Sequence, residues 1–537
     1  MADKFLWWRD GVIYQIYPRS FADSNGDGIG DLQGIISRLD YLADLGVDAI
    51  WLSPINPSPD KDFGYDVADY KDIDLKFGTM TDFSELVEKA HQRGIHIIMD
   101  MVMNHTSDQH RWFLESRSSL TNPKRNWYIW CENPRGKQYP PNNWQSVFGG
   151  RAWEFDETTG QYYYHMFTPQ QPDLNWHNPE VREEMMDTFR FWAERGVDGF
   201  RLDVFNAYFK DDQFRDNPYK PGIRPFDWQI HRYDTNLPEM MGVVQEIRNV
   251  LDAYPERYVV GETFLGGSDV AAGYCGPERL HAAFNFSMLR TLFTPAGMLT
   301  VIRNWEKALP EGAWPNYVLN NHDVPRSATR YLAGKKDQVL KVAAAMLLSL
   351  RGTPFLYYGE EIGMRDILVS RAEIKDPVGK RYWPIPVGRD GCRSPMQWSP
   401  DPGAGFTNSQ PWLKIHRNHR QRNVVEQAAD PNSLLNFYKS LLRLRKDAPA
   451  LQKGDFTPLT THPIQVLAYL RKHGEQTILV ALNFSPLPAG FKLPTGLGAG
   501  TWRPLLSSKE HAPEIVPGKR VLLKGFEAVL WELETDE

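Results

Sequence analysis

Eight rounds of a short apolar strand, a polar loop and an amphipathic helix predict an α/β fold, a (β/α)8 TIM barrel. Two breaks in that rhythm complete the expected architecture. Residues 104–178 are rich in Trp, Tyr, Asn, Pro and Gly with no long periodic helix, which predicts a lobe inserted after strand 3. Beyond about residue 452, alternating short strands without helices predict a C-terminal antiparallel β domain. The expected division is 1–103 and 179–451 for the barrel, 104–178 for the inserted domain B and 452–537 for a C-terminal β-sandwich.

The first strand is expected over 12–17. A helix over 31–45 follows, with Leu32, Ile35, Ile36, Leu39 and Leu42 on one face and Gly46 as its stop. Strand two spans 49–52 and its helix 83–93. Strand three, 95–102, is apolar apart from His96 and Asp100, as a strand covered on both faces should largely be. After the lobe, a helix over 179–195 resumes the pattern, with strands at 199–204, 258–262, 317–320 and 355–358. The weaker run 282–286 supplies the sixth strand. Helices over 337–350 and 433–445 fill later gaps. A long Pro-, Gly-, Arg- and Trp-rich loop, about 363–426, reads as functional, because structureless loops of that length are otherwise uncommon in compact domains. At the C-terminus, strands at 465–471 and 477–483 flank a turn, and 529–533 closes the chain.

The 537 residues are 42 % apolar and 24 % charged, ordinary values for a globular chain. Aromatics reach 13 %, with 18 Trp, which suits either a large core or a sugar-binding cleft. The net charge of −6, without a basic stripe, disfavours nucleic acid as a partner. No apolar stretch approaches a bilayer span, and the first residues lack the apolar segment of a signal peptide. Cys131, Cys275 and Cys392 are too few and too scattered for a disulfide scaffold. A cytoplasmic protein with no membrane partner is expected. Its oligomeric state is left open between monomer and weak dimer.

In a barrel, chemistry gathers where strands end. Asp203 ends Gly199-Phe200-Arg201-Leu202-Asp203, Glu262 ends Tyr258-Val259-Val260-Gly261-Glu262, and Asp323 follows strand seven in Asn320-Asn321-His322-Asp323. One such carboxylate could be a helix cap or a loop ion pair. Three at equivalent positions, two beside an Arg or His, favour a shared cleft. Retaining glycoside hydrolysis requires this kind of set, two carboxyl groups roughly 5–5.5 Å apart flanking the bond to be cut. Arg201 and Asp203 point to the same side of their strand. The guanidinium is expected to lower the pKa of Asp203, and the pKa of Glu262 is expected to rise beside that charge. Separately, Asp23-Ser24-Asn25-Gly26-Asp27-Gly28-Ile29-Gly30-Asp31 offers oxygen ligands at alternate positions, a spacing that suits a hard cation such as Ca²⁺. Gly34 stands where an EF-hand needs its bidentate Glu, so the loop is not an EF-hand. The other reading is an ordinary Asp/Asn/Gly turn.

These segments resemble the α-amylase superfamily, glycoside hydrolase family 13, over nearly the whole chain. Asp100-Met101-Val102-Met103-Asn104-His105, the Asp203 and Glu262 strands and Asn321-His322-Asp323 look like its four signature regions in order. Gln171-Pro172-Asp173-Leu174-Asn175 and the opening run from Trp7 to Phe21 look like its oligo-1,6-glucosidase and α-glucosidase branch. The resemblance implies Asp203 as nucleophile, Glu262 as acid/base and Asp323 as the residue that grips sugar hydroxyls. It implies His105, Arg201 and His322 as hydrogen-bond donors around the glucose nearest the cut. Tyr65, Asp66 and Arg393 would close the pocket around a non-reducing-end glucose, and Phe148 and Phe167 would wall it, with core packing as their other reading. The resemblance further implies a structural Ca²⁺ (Mg²⁺ as the substitute) held by Asp23, Asn25, Asp27, Asp31 and the Ile29 carbonyl.

The implied activity is exo-acting release of glucose from short α-glucosides. Val204, after the nucleophile, leans toward α-1,6 linkages, with α-1,4 cleavage and transglucosylation as accompaniments. Thr263-Phe264-Leu265-Gly266-Gly267 departs from the Met-Pro-Gly usual after the acid/base in oligo-1,6-glucosidases. A transglucosylase, or a sucrose- or trehalose-rearranging enzyme, would share this chemistry. A non-catalytic binding subunit would share only the fold.

Overall fold

The computed structural model describes residues 4–132, 139–331, 337–460, 462, 464–494, 497, 500–516 and 518–534. Eight strands form one parallel sheet: β1 (Ile13–Ile16), β2 (Ala49–Leu52), β3 (His96–Met101), β4 (Gly199–Leu202), β5 (Tyr258–Glu262), β6 (Ala282–Phe284), β7 (Asn316–Val318) and β8 (Thr353–Tyr357). Their order is β7-β8-β1-β2-β3-β4-β5-β6, a nearly closed barrel whose seam lies between β6 and β7. The register aligns Ile13 with both Ala49 and Phe355, and Ile98 with Gly199. Ile13, Trp51, Ile98, Val260, Phe284 and Phe355 fill the interior as one buried cluster, so the barrel is a packed core and not a pore. A second, larger cluster joins the strands to the surrounding helices.

The expected helix over 31–45 is two helices, α1 (Leu32–Ile36) and α2 (Leu39–Leu45). Arg38 leaves the helical region, at φ −111° and ψ 6°, and lays its guanidinium 4.4 Å from the Trp398 ring centroid. A tertiary contact here overrides a continuous apolar stripe. The next helix, α3 (Met80–His91), opens on a Thr79/Asp82 capping box. The helix after the lobe, α4 (Pro179–Ala193), opens on Asn178 with Pro at its first position.

The lobe holds a three-stranded antiparallel sheet with Gln161–Tyr164 between Trp130–Cys131 and Trp153–Asp156. It is not built from 104–178 alone. The loop after β4 joins it: Asn142 Nδ2 donates to Phe214 O at 3.1 Å, Trp144 Nε1 to Arg215 O at 2.9 Å, and Gln229 Nε2 to Asn143 O at 2.7 Å. Lys210 Nζ reaches 2.5 Å from Asp173 Oδ2, a buried ion pair that ties the two stretches together. The C-terminal sheet has five strands, with Val466–His473, Gln476–Asn483 and Ala528–Glu534 at its centre. A two-stranded antiparallel pair, Ala489–Lys492 with Arg520–Leu523, covers one face through Phe491, Val521 and Trp531. The other face meets the barrel's outer helices, where Tyr469 Oη and Ser349 Oγ lie 2.5 Å apart. Among the described residues, no helix is long and apolar enough to cross a membrane, and all three cysteines are free thiols.

Candidate active site

The parallel register brings the two key acids together. Arg201 is aligned with Val260 and Leu202 with Gly261, so one step further sets Asp203 beside Glu262. Arg201 is aligned with Asp100 on its other side. Its guanidinium gathers all three carboxylates: Nη1 lies 2.7 Å from Asp100 Oδ1 and 2.8 Å from Asp203 Oδ1, and Nη2 bonds Glu262 Oε2. The acids that the sequence placed at two strand ends therefore share one cation. The approach depends on Gly261, where a Cβ would fall 2.3 Å from the Phe205 ring.

Asp203 and Glu262 open into a cavity of about 280 Å³ above the strand ends, together with Tyr65, His105, Phe148, Phe167, Val204 and Asp323. Arg201, His322, Asp66 and Arg393 do not reach its wall. Tyr65 donates its hydroxyl to Asp100 at 3.1 Å, lies 2.6 Å from His322 Nε2 and stacks on that imidazole. Gln171 Nε2 lies 3.0 Å from Tyr65 O and 3.2 Å from His105 Nε2, which itself lies 2.8 Å from the same carbonyl.

Two pocket-closing residues are placed differently from the expectation. Asp66 is fully buried and accepts from Ser58 Oγ at 2.8 Å, Lys61 N at 2.8 Å and Asp62 N at 2.9 Å, so it shapes the loop. Asp62 faces the cavity instead. It is brought beside Tyr65 by a tight turn in which Phe63 and Gly64 have φ of 53° and 104° and Tyr65 N bonds Asp62 O. Arg393 is also fully buried, donating to His322 O at 2.8 Å and Asp323 Oδ1 at 2.9 Å from behind. Arg389, one 3-10 turn earlier, lines the cavity, 2.5 Å from Asp62 Oδ1 and 2.6 Å from Asp376 Oδ1. The signal available in the sequence was the Asp-x-Gly-Tyr turn, which aims residues three apart to one side.

Electrostatics also depart from the expectation. Burial pushes the Asp203 carboxyl up to about 6; Arg201 pulls it down, but Asp100 and Asp323 add negative charge nearby. One guanidinium divided among three acids does not offset the loss of water. Asp323 goes the other way. Burial raises it, yet His322, Arg389, Arg393 and Arg201 together hold it well below the usual carboxylate range. Burial lowers His322 to about 3, which keeps that imidazole neutral.

The loop after β1 coils by repeated side-chain-to-backbone bonds. Asp23 accepts from Asn25 N, Gly26 N and Gly28 N, Asn25 from Asp27 N, and Asp27 from Ile29 N. Gly26 and Gly28, at φ 79° and 90°, permit the coil. Asn25 and Asp27 keep oxygen lone pairs available, which fits a hard cation, whereas Asp23 also accepts from Thr407 Oγ1 at 2.5 Å, so each of its oxygens already takes two bonds. Asp31 also caps α1 through Gly34 N at 2.6 Å and takes both Ser24 N and Ser24 Oγ.

Residues 15–454 match the model of the α-amylase catalytic domain. The chain belongs to the α-amylase superfamily, glycoside hydrolase family 13. Residues 456–528 of this family 13 enzyme match the maltogenic amylase C-terminal domain. It is 45 % identical to a probable α-glucosidase of Rhizobium meliloti (strain 1021), over 91 % of each chain. It is 40 % identical to an oligo-1,6-glucosidase of Parageobacillus thermoglucosidasius, over 98 % of this chain and 99 % of that one. Among solved structures, an α-glucosyl transfer enzyme superposes with a TM-score of 0.93 at 42 % identity, covering 99 % of this chain and 100 % of the other.

Proposed function

We propose that this family 13 enzyme is an exo-acting retaining α-glucosidase that releases glucose from the non-reducing end of short α-glucosides. The observation that carries the reading is the pairing of Asp203 and Glu262 across one guanidinium in a cavity blocked at one side by the Asp62–Arg389 ion pair. A glucose with its anomeric carbon at Asp203 and its far hydroxyls at Asp62 and Arg389 leaves no path for a longer chain beyond it.

In the first step Asp203 attacks the anomeric carbon while Glu262 gives its proton to the glycosidic oxygen, releasing the alcohol. For this Glu262 exchanges its contact with Arg201 for that oxygen. In the second step Glu262 takes a proton from water, which displaces Asp203 and gives glucose with retained configuration. Asp323, held anionic by its neighbours, accepts hydrogen bonds from ring hydroxyls as the sugar distorts. Buried Tyr65 and neutral His322 fix the floor beneath the sugar.

Val204, in the cavity wall beside the nucleophile, supports a lean toward α-1,6 linkages with α-1,4 cleavage alongside. The cavity lining also includes the apolar side chains of Phe264, Phe286, Leu289, Val324 and Val387, beside Arg224 and Arg290. Such a surface favours apolar or sugar acceptors over water, so glucosyl transfer is the second reading, in keeping with the similarity to an α-glucosyl transfer enzyme. Asp23, Asn25, Asp27, Asp31 and the Ile29 carbonyl would hold Ca²⁺, or Mg²⁺ in its place, which would brace the loop and take no part in bond cleavage. The cysteine content supports a reducing, cytoplasmic setting.

Product analysis with isomaltose, maltose, sucrose and trehalose tests the reading. It predicts glucose released in the α configuration, fastest from isomaltose; internal cleavage of long α-glucans would overturn it. Chelation should lower the melting temperature while leaving the configuration of the product unchanged. An unshifted melting curve would count against the metal loop.

A further inference from the structure

The end of the barrel opposite the active site carries a second constellation. His91 ends α3, His96 opens β3, and Asp198 immediately precedes β4. One ligand atom from each lies within 4.8 Å of the others, the only such group of three His, Cys, Asp or Glu among the described residues. His91 Nε2 lies 2.7 Å from Asp198 Oδ2 and His96 Nδ1 lies 3.2 Å from Asp198 Oδ1. The His96 nitrogen is buried and has no hydrogen-bond partner, although it faces a carboxylate. Two groups that both offer lone pairs face each other comfortably only when a cation or proton lies between them.

The group is held as a ligand set should be held. The Trp7 ring stacks on the His96 imidazole at 4.5 Å and 14°, which fixes its plane. Ile97 N donates to Asp198 Oδ2 at 2.8 Å, fixing the carboxylate. The His91 and His96 side chains are 38 % and 31 % exposed, so an ion has a path in and a water can complete its shell. Oδ2 of Asp198 takes the His91 and Ile97 nitrogens, while Arg257 comes no nearer to Oδ1 than 3.8 Å, beyond hydrogen-bonding range, and leaves that oxygen, which faces His96, available.

We propose that His91, His96 and Asp198 form a binding site for a borderline divalent transition-metal ion, Zn²⁺ foremost. Two imidazole nitrogens and one carboxylate with an open fourth position suit Zn²⁺, and the set is too poor in oxygen for Ca²⁺ or Mg²⁺. The ion would pin the end of α3 to the starts of β3 and β4. It sits about 16 Å from the catalytic end, the length of β3 at 3.3 Å per residue, so its role is structural.

Calorimetric titration of chelator-treated enzyme with Zn²⁺, in excess Ca²⁺, tests this directly. The expected result is one Zn²⁺ per chain, a higher melting temperature with Zn²⁺, and affinity weakened at least about tenfold in His91→Gln and in His96→Gln. Co²⁺ should give the visible absorption of a four-coordinate ion in the wild type and lose it in both variants. Melting curves without metal verify that the variants fold. Absence of uptake, or uptake unchanged in both variants, overturns the site and would leave the cluster as imidazoles that share protons with Asp198.

Discussion

The inner and outer halves of the catalytic cavity are built on opposite principles. Inside, charge meets charge: Arg201 with Asp100, Asp203 and Glu262; Arg393 with Asp323; Arg389 with Asp62 and Asp376. The rest of the lining, the outer half, mixes the ring and aliphatic carbon of Phe264, Phe286, Leu289, Val324 and Val387 with Arg224 and Arg290. Directional, desolvated ion pairs fix where hydroxyls would sit, so on the proposed reading the inner half recognises one sugar ring tightly. Apolar surface is non-directional and accepts many shapes, so the outer half leaves the leaving group and the acceptor loosely specified. The contrast predicts an enzyme strict about what it removes and tolerant about what it removes it from.

The most severe way to break the inner half is Asp203→Asn. Turnover should fall at least about 10⁴-fold with the fold intact, read by initial rates and circular dichroism. Unchanged glucose release would refute the nucleophile. Arg389→Gln should come next. Leaving Asp62 buried without its cation should lower kcat/KM about 10²–10³-fold on every glucoside, irrespective of leaving group. A loss confined to one aglycone would place Arg389 in the outer half instead.

Acidity sharpens the contrast further. Asp203 must be ionised to attack, and burial sets its carboxyl at about 6. The kcat/KM of the free enzyme should therefore decline about tenfold per pH unit once well below 6. A limb near pH 4 would mean that Arg201 outweighs burial. The same raised carboxyl makes Asp203 a stabilising neutral group below about pH 4, and that contribution disappears as pH rises through 6. The smallest effect belongs to the outer half. Val204→Thr should shift the isomaltose-to-maltose ratio by about 10–200-fold at most, equivalent to roughly 1–3 kcal/mol, with little change on an aryl glucoside.

The barrel was legible because a parallel strand buried on both faces is mostly apolar, and charges gather toward its end: Glu262 closes β5 as its first charge, Asp203 follows β4 shortly after Arg201, and Asp323 lies in the loop beyond β7. Asp62 against Asp66, and Arg389 against Arg393, were not separable that way. Each pair is four residues apart in an irregular stretch, where no periodicity says which side chain faces the cavity. The turn at Phe63–Gly64, marked in the sequence only by Asp-x-Gly-Tyr, decides the first pair, and the burial of Arg393 behind Asp323, a tertiary fact, decides the second. The same holds for the loop after β4, whose union with the lobe rests on hydrogen bonds spanning some seventy residues of chain.

Val204 has a backbone φ of 33° and ψ of 37°, a left-handed geometry that a β-branched residue adopts at a steric cost. Nearly any unbranched replacement, glycine or asparagine above all, would relax the main chain there. At the position beside the proposed nucleophile, backbone strain is thus set against the packing of a side chain only 5 % exposed. On the proposed reading, linkage preference rests on this finely balanced site, while each exchange in the charged floor strands a buried ion.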